Sequence, residues 1–280
     1  MKVGLVLEGG GMRGLYTAGV LDVMMDHSFM PDVVCGTSAG VTFGVNLLSQ
    51  QRGRVLRYNC KYVGRRDYIS LYSWLTTGNM INKEFAYGLL PRELDPFDEE
   101  TFERSKAEFY ATITNMRTGE AEYVRITNTW EQMDVIRASA SLPIICRPVE
   151  WNGEKYLDGG LSDNIPLDKC IELGCDKVIV VLTRPLDYVR NDSITGVCKL
   201  WFPRYKALHK TIAMRNERYN QQVQRIRELE ADGKFFVIRP SENRSVSRLE
   251  KDPEKLTHLY NLGVEDAMAV WKDMERYLSK

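Results

Sequence analysis

The chain has 280 residues, 44% hydrophobic and 27% charged, ordinary globular values that exclude a fibre, a disordered tail and a low-complexity segment. Thirty-eight Lys and Arg balance 38 Asp and Glu, so no global field draws the protein to nucleic acid or to an anionic membrane, and any such contact needs a local patch. No apolar run approaches the ~18 residues that span a bilayer, and Glu8 interrupts the apolar start too early for a signal peptide, so the expectation is a soluble, cytoplasmic protein with at most transient membrane contact.

Val3 to Leu7 reads as a short buried strand, and after a glycine-rich turn Leu15, Ala18, Leu21, Met24 and Met25 recur at helical spacing. Pro31 closes that region, Asp32 to Cys35 forms a second strand, and Ala39 to Leu48 is again helical, which makes a βαβα unit and predicts a parallel sheet. Residues 50 to 105 carry many aromatic and basic groups with breaks at Gly78-Asn79 and Pro91 to Pro96, and read as loops and short helices bordering a substrate. Phe109 to Thr114 and Ala121 to Ile126 form a hairpin about Met116-Arg117-Thr118-Gly119, and Asn152-Gly153 turns into a short strand at Lys155 to Leu157. Leu167 to Leu173 is a helix closed by Gly174, and Val178 to Leu182 is a buried strand of the parallel-sheet type. Beyond Pro185 come long polar helices and one more strand, Phe235 to Ile238. Between Arg204 and Arg227 seven Lys or Arg face the single acid Glu217; the ordinary reading is a solvated helix face balanced by acids elsewhere, the alternative a dock for anionic lipid headgroups.

The turn Glu8-Gly9-Gly10-Gly11-Met12-Arg13-Gly14 contains Gly-x-Gly-x-x-Gly, but Val34-Cys35 stand where a dinucleotide site needs its ribose-binding acid. A P-loop fails as well, because Leu15-Tyr16 follow Gly14. What survives is a run of unhindered backbone N–H groups at a helix start, suited to an anion, including an oxyanion formed in a transition state. The second turn, Gly36-Thr37-Ser38-Ala39-Gly40, is Gly-x-Ser-x-Gly after a strand and before a helix, the context of a nucleophile elbow. Taken alone, Ser38 is a helix N-cap; in this context the nucleophile reading is preferred. His27 lies at the far end of its helix, and His209 and His258 sit in charged helical text, so none is a good base. Asp158, at a strand end before Gly159-Gly160, is the better candidate, although Asp-Gly also simply makes a tight turn. Cys35, Cys60, Cys146, Cys170, Cys175 and Cys198 form no Cys-x-x-Cys pair, which argues for reduced thiols and against a zinc site.

Together these blocks resemble the signatures of the patatin-like phospholipase family, in the same order and spacing. Ala138-Ser139-Ala140-Ser141-Leu142-Pro143 and Asp163-Asn164-Ile165-Pro166 resemble the segments that flank the family's aspartate, and residues 1 to about 185 are covered. The text from Asp67-Tyr68 to Gly78-Asn79, and from Tyr219-Asn220-Gln221 to Gly263, is similar to a bacterial subgroup with a helical C-terminal extension. The resemblance implies a three-layer α/β/α fold with a mostly parallel sheet, a catalytic core at 1–185 and a helix-rich extension at 186–280 packed on it. It implies a Ser38/Asp158 dyad without histidine, an oxyanion hole from Gly9, Gly10, Gly11, Met12, Arg13 and Gly14, and an elbow of Gly36, Thr37, Ala39 and Gly40. Donors are expected around Gly10, Gly11 and Met12, with Arg13 bracing the loop and adding positive potential. The expected reaction is serine-dependent hydrolysis of phospholipid or lysophospholipid acyl esters, with no metal, no cofactor and no nucleic acid. A lipid-binding protein without turnover and a nucleotide-binding protein are the rivals. Trp74, Trp201 and Phe202 are candidate interfacial anchors, with core packing the more ordinary reading.

Overall fold

Strict alternation across the central strands builds a sheet covered on both faces. In the computed structural model, which describes residues 1–192 and 194–280, Val3–Leu7 (β1) turns Leu5 and Leu7 to one apolar cluster and Val6 to another. Val33–Thr37 (β2) does the same with Val34 against Val33 and Cys35. The remaining strands are Glu108–Asn115 (β3), Ala121–Ile126 (β4), Val149–Trp151 (β5), Glu154–Asp158 (β6), Lys177–Val181 (β7) and Phe235–Ile238 (β8). They hydrogen-bond in the order β5-β6-β3-β2-β1-β7-β8, with β4 on β3; β3, β2, β1, β7 and β8 run parallel, and β4, β5 and β6 pair antiparallel. Leu5, Leu7, Val34, Ile179 and Val181 are fully buried, and each such side chain stabilises the fold by about 1.5–3 kcal/mol.

The helices are Leu15–Asp26 (α1), Ala39–Leu48 (α2), Arg54–Tyr62 (α3), Leu71–Thr77 (α4), Glu99–Arg104 (α5), Met133–Ser139 (α6), Leu167–Glu172 (α7), Thr195–Trp201 (α8), Lys206–Ala213 (α9), Arg215–Ala231 (α10) and Pro253–Leu278 (α11). Side chains of α1, α2, α3 and α11 join the cluster on one face of the sheet, while Leu167 and Cys170 of α7 and Tyr219 and Ile226 of α10 cover the other, giving the three-layer α/β/α arrangement. α1 and α11 meet backbone to backbone. A Cβ on Gly19 would lie 2.2 Å from the Tyr260 carbonyl oxygen, and one on Gly263 would lie 2.1 Å from that of Tyr16.

The register along β3 brings two distant segments together. β2 and β4 both pair with residues 109–112 and so occupy opposite edges; β4 and β6 both pair with Ile113, which puts β6 on the edge that β2 has just left. Thr37 sits opposite Thr112 and Asp158 opposite Ile113, successive positions on one edge. Residue 38 therefore leaves β2 beside the end of β6. Gly159 makes this approach possible, since a Cβ there would meet the Thr112 carbonyl oxygen at 2.3 Å.

Three details depart from the sequence reading. The chain does not break at Pro91: Phe85–Leu94 winds through it as a π-helical segment, in which the proline forgoes only its own N–H bond. β5 was not expected, being only three residues long. The basic stretch after Arg204 is a solvated, acid-balanced face only in part: Arg225 pairs with Asp168 as that reading expects, but Arg215 is buried and Arg218 donates to the Leu161 and Ser162 carbonyls. Residues beyond 185 also contribute to the sheet itself through β8.

Candidate active site

Ser38 stands between β2 and α2 with φ 55° and ψ −115°, a conformation costly for a side chain by about 1–3 kcal/mol and enforced by its neighbours. The turn is tight because it is made of small residues: a Cβ on Gly40 would lie 2.4 Å from the Leu7 carbonyl oxygen, and one on Gly36 would lie 2.7 Å from that of Gly40. Thr37 Oγ1 fastens the turn to the Asp163 carbonyl at 3.0 Å, and Ser139 Oγ accepts the Ser38 N–H at 2.9 Å. Ala39 packs under Gly14, where a Cβ would come within 2.7 Å of the alanine methyl, so the glycine loop lies against the first turn of α2.

Ser38 Oγ donates to Asp158 Oδ2 at 2.7 Å, and Asp158 Oδ1 accepts the Gly160 N–H at 2.7 Å. Asp158 is buried, and burial pushes its carboxyl up from the ordinary 3.8, against the lowering effects of Ser38, the Gly160 N–H, Arg215 and Arg248. A carboxylate shifted this way is a better base near neutral pH than a solvated one.

The expected donor set of the glycine loop narrows. The Gly9 N–H is taken by the Asn164 carbonyl at 3.1 Å, the Met12 N–H by that of Arg248 at 3.1 Å and the Arg13 N–H by that of Gly10 at 3.3 Å. Gly9 and Met12 therefore shape the loop without offering a free donor, whereas the Gly10 and Gly11 N–H groups have no acceptor among the described residues. Gly11 holds φ +59°, which glycine adopts without penalty. Arg13 is buried, its Nε has no partner among the described residues, and burial, then Arg184 and Arg248, bring its pKa down to about 10. It adds positive potential, but no hydrogen bond through Nε braces the loop. Glu8 does brace it: its buried carboxylate accepts from Thr183, Tyr219 and Asn164.

Residues 5–171 match the sequence profile of the family described as Patatin-like phospholipase. The chain belongs to that family. Residues 205–279 match a second profile, DUF6363, a domain of unknown function. Relatives include the uncharacterized protein YjjU of Escherichia coli (strain K12), 33% identical over 66% of this chain and 52% of that protein. Lysophospholipase nte1 of Aspergillus niger is 32% identical over 72% of this chain and 14% of its own length, and lysophospholipase NTE1 of Saccharomyces cerevisiae 30% identical over 69% and 12%. The chain thus spans about half of YjjU and a small part of the two lysophospholipases. The crystal structure of VipD from Legionella pneumophila aligns over 97% of this chain and 67% of that one, at 14% identity and a TM-score of 0.48.

Two cavities meet at Ser38 in this patatin-like fold. The larger, about 140 Å³, is apolar and runs under residues 50–105 and α6, lined by Tyr68, Ile81, Tyr87, Leu90, Trp130 and Ile136 among others. The smaller has a mixed lining that carries the charged groups Asp158, Arg190, Arg215 and Arg248 beside Gly10 and Gly11. No histidine lines either. His27 stacks on Trp271 at 4.1 Å, His209 Nε2 lies 2.9 Å from the Phe202 carbonyl oxygen, and His258 sits in α11. Sequence reasoning missed Glu8, Ser139 and Asn164 as supports, though the last two lie in segments that the family resemblance marks. It also missed the arginines, which no local pattern distinguishes from surface residues. Among the described residues no His, Cys, Asp and Glu group is placed to hold a metal ion, and no helix is long and apolar enough to cross a membrane.

Proposed function

We propose that this chain hydrolyses fatty acyl esters of phospholipids, as a phospholipase A or lysophospholipase, with Ser38 as nucleophile and Asp158 as base. The observation that carries the reading is the 2.7 Å hydrogen bond from the Ser38 hydroxyl to a buried carboxylate, beside two unengaged N–H groups at the mouth of an apolar cavity. Ser38 Oγ attacks the ester carbonyl as its proton passes to Asp158 Oδ2, and the Gly10 and Gly11 N–H groups receive the oxyanion. Collapse of the tetrahedral intermediate breaks the C–O bond to the alcohol, which leaves with the proton held by Asp158. Water then gives a proton to Asp158 and attacks the acyl-enzyme; the second collapse frees the fatty acid and restores the Ser38 hydroxyl. The acyl chain lies in the apolar cavity. Each oxyanion donor is typically worth about 10²- to 10³-fold in rate.

Lipid substrates reside in membranes or micelles, and the surface carries apolar groups suited to meeting them. Leu71 and Leu75 of α4 and Leu200 and Trp201 of α8 are exposed, and the Trp74 and Trp201 rings lie 6.4 Å apart. The six cysteines are unpaired, which supports a reducing, cytoplasmic setting, and the exposed apolar groups support peripheral membrane contact.

A fluorophosphonate probe, which traps activated serines, tests the assignment when the labelled peptide is read by mass spectrometry beside a Ser38→Ala control. Stoichiometric label on Ser38, absent from the control, is expected. A folded protein that takes no label, or takes it elsewhere, overturns the reading.

A further inference from the structure

We propose that Arg190, Arg215 and Arg248, all supplied by the chain beyond the patatin-like match, form a phosphate subsite beside Ser38 that selects acyl esters with a phosphate headgroup. The selection rests on the hydrolase reading above; the phosphate site itself does not. All three arginines line the smaller cavity, which also holds Ser38, Asp158, Gly10 and Gly11. Arg248, Gly11, Ser38 and Leu142 line both cavities, so the two adjoin at the serine. A glycerophospholipid has the matching layout, with an apolar chain on one side of an ester carbonyl and an anion a few bonds away on the other.

Arg190 carries the argument. It is only 4% exposed, yet its Nε and Nη1 have no acceptor among the described residues. Its place is fixed through the backbone, since the Arg190 N–H donates to Asn220 Oδ1 at 2.9 Å and Asn220 Nδ2 donates to the Arg190 carbonyl at 3.0 Å. Arg190 Cζ lies 3.7 Å from the Tyr219 ring centroid, a cation–π contact that uses none of its N–H groups as hydrogen-bond donors to oxygen. Arg215 Nε donates to the Gly160 carbonyl at 3.0 Å, one residue past Gly159 from the dyad aspartate, and its Nη1 lies 3.4 Å from Asp192. Arg248 Nη2 lies 3.1 Å from the same Asp192 oxygen.

The charges in this corner do not balance. One carboxylate, Asp192, faces three guanidiniums, meeting Arg215 and Arg248 through Oδ2 while its Oδ1 has no partner among the described residues; Asp158 is engaged by Ser38 and Gly160, and the Glu8 carboxylate is already filled by Thr183, Tyr219 and Asn164. Burial, with Arg190 and Arg248 nearby, brings the Arg215 pKa down to about 10, as expected of crowded cations short of counter-charge. A buried guanidinium without a partner is costly, and a phosphate entering the cavity supplies the missing acceptors in the forked geometry that arginine matches. Arg215 and Arg248 both fall in the segment of unknown function, to which the proposal gives a role: it completes the active site of the patatin-like core and is part of the catalytic unit.

The test compares kcat/KM on lysophosphatidic acid and on monoacylglycerol of the same acyl chain, in the same detergent micelles, for the parent and for Arg190→Gln and Arg190→Lys. The parent is expected to prefer the phosphate-bearing ester at least tenfold, Arg190→Gln to cut that ratio tenfold or more, and Arg190→Lys to restore part of it. Equal losses on both esters would mark Arg190 as structural and overturn the proposal. Inorganic phosphate is titrated separately at constant ionic strength, read as a rise in Tm that Arg190→Gln abolishes; this readout holds even if no ester is turned over. No phosphate-dependent rise in the parent refutes the subsite. A rise combined with equal turnover of the two esters assigns the site to free phosphate and refutes headgroup selection. If Arg190→Gln does not melt cooperatively, Arg248→Gln, whose guanidinium reaches only Asp192, carries the same expectations.

Discussion

Asp158→Asn separates the chemistry of the dyad from its geometry. The carboxylate accepts two hydrogen bonds, from the Ser38 hydroxyl and from the Gly160 N–H, each 2.7 Å long. Asparagine keeps both contacts, because its carbonyl oxygen takes the Gly160 N–H while its NH₂ donates to Ser38 Oγ. The serine then stays in place with nothing to receive its proton. A positioned general base contributes about 10²- to 10⁴-fold, so kcat on a short ester such as p-nitrophenyl butyrate should fall by that factor, about 2.7–5.4 kcal/mol of barrier. Stability should move the other way. Burial holds the Asp158 pKa above the 3.8 of an unfolded chain, so its proton binding favours the folded state below that pH, and the benefit is lost as pH rises through the folded pKa. At pH 7 the ionised carboxylate is a net cost that the neutral amide removes. Asp158→Asn should melt at or above the parent Tm at pH 7, by about 2–4 °C for each kcal/mol recovered, and the advantage should shrink toward pH 4. Turnover within threefold of the parent in a folded variant would refute the role of Asp158 as base; a clear fall in Tm would refute the account of its burial.

Because Asp158 must be ionised to accept the serine proton, kcat/KM should rise with pH along a limb whose inflection lies above 3.8, and Arg248→Gln, which removes a lowering charge, should move it higher; a limb at or below 3.8 contradicts this. Gly40→Ala places a methyl 2.4 Å from the Leu7 carbonyl oxygen, a backbone atom that cannot yield, and at about 1–3 kcal/mol should lower Tm by roughly 2–12 °C in a thermal melt. Gly64→Ala, which meets nothing within 4 Å, is the control and should melt like the parent. Ala86 lines the apolar cavity, so Ala86→Phe should depress kcat/KM for a sixteen-carbon lysophospholipid far more than for a four-carbon ester; equal effects would show that the acyl chain lies elsewhere.

Much of this was legible because the informative residues act locally. A serine between a buried strand and a helix, ringed by Gly36, Ala39 and Gly40, announces a turn that only small residues can make, and Asp158-Gly159-Gly160 announces a close approach. The unbroken apolar runs Val3 to Leu7 and Val178 to Leu182 likewise state a doubly covered sheet. What stayed hidden depends on partners far away in the chain. Nothing near Met12 says that its N–H is consumed by the Arg248 carbonyl, so a donor count made along the loop comes out too high. A run of arginines in a polar helix reads as a wet surface until the fold turns Arg215 inward. Pro91 reads as a break because the expectation assumes α-helical geometry, whereas the wider π-helical winding accommodates it.

The bond between the Met12 N–H and the Arg248 carbonyl also sets an order in time. Translation produces the glycine loop, the serine turn and Asp158 well before the segment that fastens that loop. A nascent chain can thus assemble most of its parallel strands while the loop is still untied and α1 still lacks α11, whose backbone it touches at Gly19 and Gly263. The loop beside Ser38 is therefore the last part of this site to be fastened, waiting on a residue far along the chain.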